Sequence, residues 1–246
     1  KGTETAYFTG CVFDYMRRFS LIPKSFALIL NELGLNYTLL GPDELCCGNP
    51  LFLTGGHQLA EKLVRQNVKS IQDLGVEKLI MTCAGCYRSF KKEYPQIIGG
   101  ELPFEVLHSS ELLAQLLDEG KLKFKNKIEK SITYHDPCEL GRHCGVYEEP
   151  RKILENIPRL EYVELPKAKS NCTCCGGGGM LKATNPELAL KIASKKLDEA
   201  KSVGANTIVT GCAACKLNLT EAEAKFGAKT EVLDIVEVVA NALGVR

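Results

Sequence analysis

The chain lacks a surplus of charge: 31 Lys and Arg stand against 30 Asp and Glu in 246 residues, a formal net charge of +1. With no broad basic or acidic face to build, nucleic acid is disfavoured as a partner on electrostatic grounds. Long apolar runs are also missing. Those present are short and interrupted by charges, so no segment is expected to span a bilayer directly. A secretion signal, with its basic start and apolar h-region, is absent. GTETAYFTGC (2–11) contains no Gly-x-Gly-x-x-Gly, which argues against a nicotinamide site. GGGGMLKATN (176–185) lacks the Gly-Lys-Ser/Thr ending that would place a lysine and a magnesium ligand on phosphates. The first residue is Lys1 rather than Met, and the expectation is a piece of a longer protein.

What the chain has in excess is cysteine, 12 in all. Secreted scaffolds tie such numbers into disulfides, but they are short and poor in core residues. This chain has the length and the Val, Ile and Leu for a sizeable core. The reading is therefore a reduced, cytoplasmic compartment in which thiolates bind metal.

The cysteines sit in a sequence that repeats itself. TAYFTG (5–10) reads as a short strand ending at Cys11, followed by a helical stretch through about Leu33. NYTLLG (36–41) is the next strand, then come a Cys-Cys-Gly loop, a helix over 57–74 and the strand EKLIMT (77–82), which ends at Cys83. FEVLHSSELLAQLL (104–117) closes the unit with a strand and a helix. The second unit runs through SITYHD (131–136), a helix near 150–157, LEYVEL (160–165), NCTCCGGGGM (171–180), a helix over about 186–202 and NTIVTG (206–211). Its closing EVLDIVEVVANAL (231–243) matches EVLHSSELLAQLL (105–117) almost position for position. Cys11 matches Cys138 at nearly the same offset, as Cys46 does Cys174 and Cys83 does Cys212, and the period is too long for a solenoid. Three units follow: a first repeat over 1–118, a polar and basic linker over 119–130, and a second repeat over 131–246. Strands alternating with helices predict two small parallel sheets of α/β type, each flanked by helices and related by a pseudo-twofold axis. Parallel sheets gather their sites at the carboxyl ends of strands, where these cysteines fall.

Each half spells Cys, about 35 residues, Cys-Cys-Gly, about 35 residues, Cys-x-x-Cys. The first set is Cys11, Cys46, Cys47, Cys83 and Cys86; the second is Cys138, Cys174, Cys175, Cys212 and Cys215. A structural zinc site closes with four ligands, usually from two knuckles, so five thiols are one too many. A thioredoxin-like Cys-x-x-Cys explains neither the vicinal pair nor Cys11. Several irons sharing sulfides accommodate five soft ligands, and one thiolate of a vicinal pair can bridge two irons. Gly48, Gly176 and Gly177 are expected to let the backbone fold tightly against such a group and to offer N–H donors to its sulfurs. Cys144 and Cys172 lie outside the pattern, with an unliganded buried thiol as the simplest account. Cys172 is near enough to Cys174 to compete as a ligand.

YFTGC, LGPDELCCGNPL, TCAGCYRSFKKEYP, YHDPCELGRHCGVYEEPRKIL and CCGGGGM together resemble the cysteine-rich CCG domain of the heterodisulfide reductase family. The likeness is to its B subunit and the C-terminal part of its D subunit. It runs from about Ala6 to Leu243 and covers both repeats. The resemblance implies two [4Fe-4S] clusters of noncubane type, one per five-cysteine set, and reductive cleavage of a disulfide of the CoM-S-S-CoB kind at a cleft between them. In that reading each cluster delivers one electron and takes up one thiolate. The chain contains no ferredoxin-type Cys-x2-Cys-x2-Cys-x3-Cys run. An electron-donor subunit or a ferredoxin-type domain is therefore an implied partner, and any membrane association would pass through a partner subunit. Relatives in glycolate, lactate and glycerol-3-phosphate oxidising complexes imply the alternative, an electron relay from a flavin dehydrogenase that binds no substrate itself.

Two further residues are candidates for the reaction. His135, three positions before Cys138, can protonate a leaving thiolate, or can be a satisfied strand-end histidine. Arg142 can bind an anionic group of a substrate, or can be a solvated loop charge. His57 and His108 are read as structural, and the lysines of RSFKKEY (88–94) as a solvated helix face.

Overall fold

The computed structural model describes residues 3–16 and 19–245. Each half builds its own four-stranded parallel sheet. The first contains β1 (Thr5–Phe8), β2 (Thr38–Leu39), β3 (Lys78–Met81) and β4 (Glu105–His108) in the order β2-β1-β3-β4. The second contains β5 (Ser131–Tyr134), β6 (Glu161–Tyr162), β7 (Thr207–Thr210) and β8 (Glu231–Asp234) in the order β6-β5-β7-β8. The register repeats as well, with Lys78 opposite Glu105 in one sheet and Thr207 opposite Glu231 in the other. The α/β class and the duplicated parallel sheets are as expected from the sequence.

Parallel neighbours require crossovers, and helices supply them. His57–Leu74 and Pro186–Ser202 have the bounds their apolar spacing predicts. Two strands are shorter than expected: 36–41 retains Thr38–Leu39, and 160–165 retains Glu161–Tyr162. Both are edge strands, paired on one side only. The helical stretch expected from Cys11 to Leu33 is divided into Cys11–Tyr15 and Leu21–Glu32, and residues 17–18 lie outside the described residues. The helix expected at 150–157 runs over Glu148–Glu155 instead. Pro150 falls in its first turn, where a missing N–H is tolerated.

Successive strand residues face opposite sides of a sheet, and the inner faces of the two sheets share one core. Tyr7, Ile80 and Leu107 of the first sheet and Ile132, Tyr134 and Val209 of the second belong to the same buried cluster. Helix Leu21–Glu32 packs on Ile235–Leu243, and Ser109–Asp118 packs on Glu148–Glu155. Replacing each helix by its counterpart in the other repeat exchanges these two pairs, as a pseudo-twofold axis requires. Burying a Leu, Ile or Phe is worth about 1.5–3 kcal/mol, so separating the halves would expose much of what stabilises each. Segment 119–130 is not a loose tether: Lys125 and Asn126 both donate backbone N–H to Ala242 O, and Leu122 is buried.

Among the described residues, no helix is long and apolar enough to cross a membrane.

Candidate metal centre

The cysteines occupy equivalent positions because they follow equivalent strands. Cys11 opens a helix three residues after β1, Cys83 caps one two residues after β3, and Cys46-Cys47 lie in the loop beyond β2. Cys212 caps Ala213–Phe226 in the same way after β7. Helix amino termini present unpaired N–H groups that favour thiolates.

All five cysteines of the first set line one cavity of about 350 Å³. Sγ of Cys11 is 3.8 Å from Sγ of Cys46. Hydrogen bonds from the Cys11 and Cys47 thiols, aided by the Gly48 amide, hold Cys46 well below the usual thiol range. Cys11 moves the opposite way, raised by its bond to Cys46 and by burial. Cys83 is lowered to about 7, chiefly by the Cys86 thiol and with help from backbone amides that include Ala213 of the other half. Five thiols this close cannot all ionise unless a cation joins them, the electrostatic condition of a metal site.

The second set gathers around Cys175. Its Sγ is 3.1 Å from that of Cys215. Hydrogen bonds from Cys174 and Cys215 bring Cys175 well below the ordinary thiol value, and those same bonds push its two partners up. Gly176 N donates to Cys174 Sγ at 3.2 Å and Gly177 N to Cys175 Sγ at 3.4 Å. Cys138 is raised to about 11 by burial and by the charges of Glu139, Cys212 and Cys175. Gly48 and Gly176 both have positive φ, a left-handed conformation that disfavours other residues.

The cavity is not shared evenly. Of the second set, only Cys212 lines it, because Gly177–Met180 forms the wall between. Cys174 and Cys172 border a separate, open depression beside Arg142 and Lys167.

The two non-cysteine candidates lie away from the cavity. Arg142 spends its guanidinium on backbone, with Nε donating to Ser170 O at 3.0 Å and another nitrogen to Cys172 O. It holds the 170–172 loop in place. His135 is buried, with Nδ1 3.5 Å from Cys172 Sγ. Burial opposes its charge, but the thiols of Cys172 and Cys175 push it up to about 10. Burial likewise opposes a Cys172 thiolate, yet His135 and Lys196 bring that thiol below its ordinary value. Cys144 stands apart near Lys92 and Glu139, raised to about 11 mainly by burial.

Sequence reasoning missed the two charged residues of the cavity among those described. Glu139 lines the wall and accepts from Arg88 at 3.0 Å; its adjacency to Cys138 was the available signal. Lys182 also lines the cavity, donating to Asn218 at 2.8 Å and Glu221 at 2.5 Å. It stands in the segment set aside as a failed phosphate loop. His108, read as structural, ties the halves together: Nδ1 accepts from Ser110 N, and Nε2 meets Gly211 O at 3.1 Å, just before Cys212.

The profile of the cysteine-rich domain family CCG matches residues 5–91 and 132–220. The chain belongs to the CCG family. Its two CCG repeats are similar to the D subunit of the dihydromethanophenazine:CoB–CoM heterodisulfide reductase of Methanosarcina acetivorans. The identity is 41% over 243 residues, covering 97% of this chain and 58% of that protein. They are also similar to the B subunit of the fumarate reductase (CoM/CoB) of Methanothermobacter marburgensis, 37% identical over 239 residues, covering 96% and 46%. The chain thus spans about half the length of the curated relatives it matches. A solved structure of a hypothetical protein from Helicobacter pylori superimposes with a TM-score of 0.73 at 12% identity, covering 99% of this chain and 50% of that one. At that identity the likeness is one of fold.

Proposed function

We propose that this CCG chain is an iron–sulfur subunit of an oxidoreductase that cleaves a disulfide, with one [4Fe-4S] cluster of noncubane type per repeat. The supporting observation is the cavity in which all five first-set thiols meet. The donor set fits the group: the thiols are soft and crowded, several are already biased toward the thiolate, and amides of Gly176 and Gly177 stand ready for sulfur. Cys11, Cys46, Cys47, Cys83 and Cys86 would hold one cluster, and Cys138, Cys174, Cys175, Cys212 and Cys215 the other. When bound, the clusters supply single electrons and iron sites with affinity for sulfur.

The chain's own residues do the rest. Val12, Phe13, Pro50 and Leu53 give the cavity apolar walls that exclude water from a bound disulfide. Lys182 is, among the described residues, the cation on those walls. An ammonium has three donors, and its two contacts use two of them. It would hold an anionic group of the substrate, or place a proton at Nζ near a departing thiolate. Glu139, also on the cavity, is paired with Arg88 at 3.0 Å. The balance is one disulfide, two electrons and two protons giving two thiols, with both electrons supplied by a donor subunit or a ferredoxin-type domain. The CoM and CoB in the relatives' names support thiols of that class as substrates.

The test is anaerobic purification, assay of iron and sulfide, and EPR of the oxidised protein with and without CoM-SH or CoB-SH. A thiol-dependent signal is expected. Full cluster loading with no response to either thiol in the intact complex would favour an electron relay and overturn the disulfide reading. Zinc without iron or sulfide would overturn both.

A further inference from the structure

The two CCG repeats differ at one buried spot beside their cysteines. In the first repeat, Thr9 donates through N and Oγ1 to the Glu44 carboxylate, both at 2.9 Å, and Gly10 N adds a third bond at 2.6 Å. That knot joins the end of β1 to the Cys-Cys-Gly loop. At the equivalent positions the second repeat has His135 where the first has Phe8, Asp136 where it has Thr9, and Cys172 in place of Glu44. Here an imidazole faces a thiol at 3.5 Å through Nδ1. Asn67, which serves the first loop by bonding Leu45 and Cys46 carbonyls, has Lys196 as its counterpart. Lys196 is buried, with Nζ 3.8 Å from Cys172 Sγ and 2.5 Å from Glu199.

Where the first repeat has Phe8, Glu44 and Asn67, the second therefore sets a base, a sulfur and a cation in His135, Cys172 and Lys196. His135 is 1% exposed, and its Nε2 has no hydrogen-bond partner. A buried polar atom left without a partner is costly. A ring nitrogen of His135 and the sulfurs of Cys175 and Cys215 all lie within 4.8 Å of one another, a spacing that one metal ion can bridge. Metal-bound histidines usually donate their other N–H to an acceptor that fixes the ring. Cys172 stands at that acceptor position, steadied by Lys196 on its far side.

We propose that His135 is a nitrogen ligand of the second metal site, bonding through Nε2 beside Cys175 and Cys215 while Cys172 accepts from Nδ1. This rests on the reading that the second set holds an iron–sulfur cluster. It accounts for Cys172, which the five-cysteine pattern left over, and for the buried Lys196 beside it.

The test is carried out on the anaerobically purified, cluster-loaded protein. Pulsed EPR with [15N]histidine labelling reads directly bonded nitrogen, and 57Fe Mössbauer spectra read every iron whatever its spin. The expected result is one strong 15N coupling and one iron site distinct from the sulfur-only sites, both lost in His135→Phe, which copies Phe8. A buried substitution can unfold the chain, so the coupling is also read in His57→Gln and His143→Gln, both at exposed positions, where it persists. That leaves His108, whose two ring nitrogens are already hydrogen-bonded, and His135. Full iron and sulfide with no histidine coupling and no distinct iron site would overturn this proposal while leaving the iron–sulfur reading intact. So would a coupling that survives His135→Phe. Absence of iron and sulfide from the wild-type protein would overturn both.

Discussion

Gly177→Ala puts the crowding around the second cysteine set to a numerical test. A Cβ built on Gly177 lies 2.3 Å from Ala214 O, 3.0 Å from Ala214 C and 3.1 Å from Asn218 Cβ. The nearest atoms are backbone, so no side chain can swing aside. Relief requires moving the first turn of Ala213–Phe226, which carries Cys215 and is capped by Cys212, or moving the loop that carries Cys174 and Cys175. Overpacking of this kind costs about 1–3 kcal/mol. For a chain of this length, each kcal/mol lowers Tm by about 2–4 °C, so the fall is roughly 2–12 °C. Moving the loop disturbs the Gly177 N to Cys175 Sγ contact of 3.4 Å and moving the helix displaces Cys215, so iron retention should drop with Tm. Gly178→Ala is the control: its Cβ meets nothing within 4 Å, and the effect should stay within about 0.5 kcal/mol. Thermal unfolding and iron assay of both variants under anaerobic conditions decide the matter. Equal Tm and equal iron in the two would refute the argument that this loop is shaped by its contact with the helix.

Three other outcomes follow from particular side chains. Arg151 bonds both oxygens of buried Asp136 at 2.8 Å and reaches Glu164 at 2.6 Å. Arg151→Met leaves the Asp136 charge uncompensated and should cost about 3–5 kcal/mol in urea unfolding, with Asp136→Asn in the same chain recovering part of it. Burial holds His108 down to about 4, against bonds to Gly211 and Thr82 that pull it up. The unfolded chain therefore binds the proton more readily. The neutral imidazole's contribution is complete above about pH 6.5 and is lost as pH falls toward 4, by about 3 kcal/mol across that window; His108→Asn should flatten this slope of stability against pH. In disulfide reduction by the intact complex, Lys182→Ala should raise KM for an anionic disulfide roughly tenfold while kcat changes little, and Lys182→Arg should restore most of the loss. An unchanged KM would remove Lys182 from substrate binding.

The duplicated five-cysteine pattern was legible in the chain because it is carried by spacing along the strand–helix repeat. A parallel sheet of strand–helix units delivers every post-strand loop to one rim, so Cys11, Cys46 and Cys83 had to approach one another whatever the details of packing. Helices such as His57–Leu74 were equally legible, since their apolar spacing depends on local geometry alone. The edge strands were overestimated: their residues favour extension, but pairing on one side supports only Thr38–Leu39 and Glu161–Tyr162. What spacing could not decide was which wall each side chain would face. Glu139 and Lys182 reach the cavity because segments distant in the chain fold together there, whereas Arg142, three positions beyond Glu139, turns away to two carbonyls. The identity of each repeat's thiols is a one-dimensional property of the sequence. The difference between the two sites, with Phe8, Glu44 and Asn67 in one and His135, Cys172 and Lys196 in the other, took on chemical meaning only when folding buried His135, Cys172 and Lys196 together and left Nε2 of His135 without a partner.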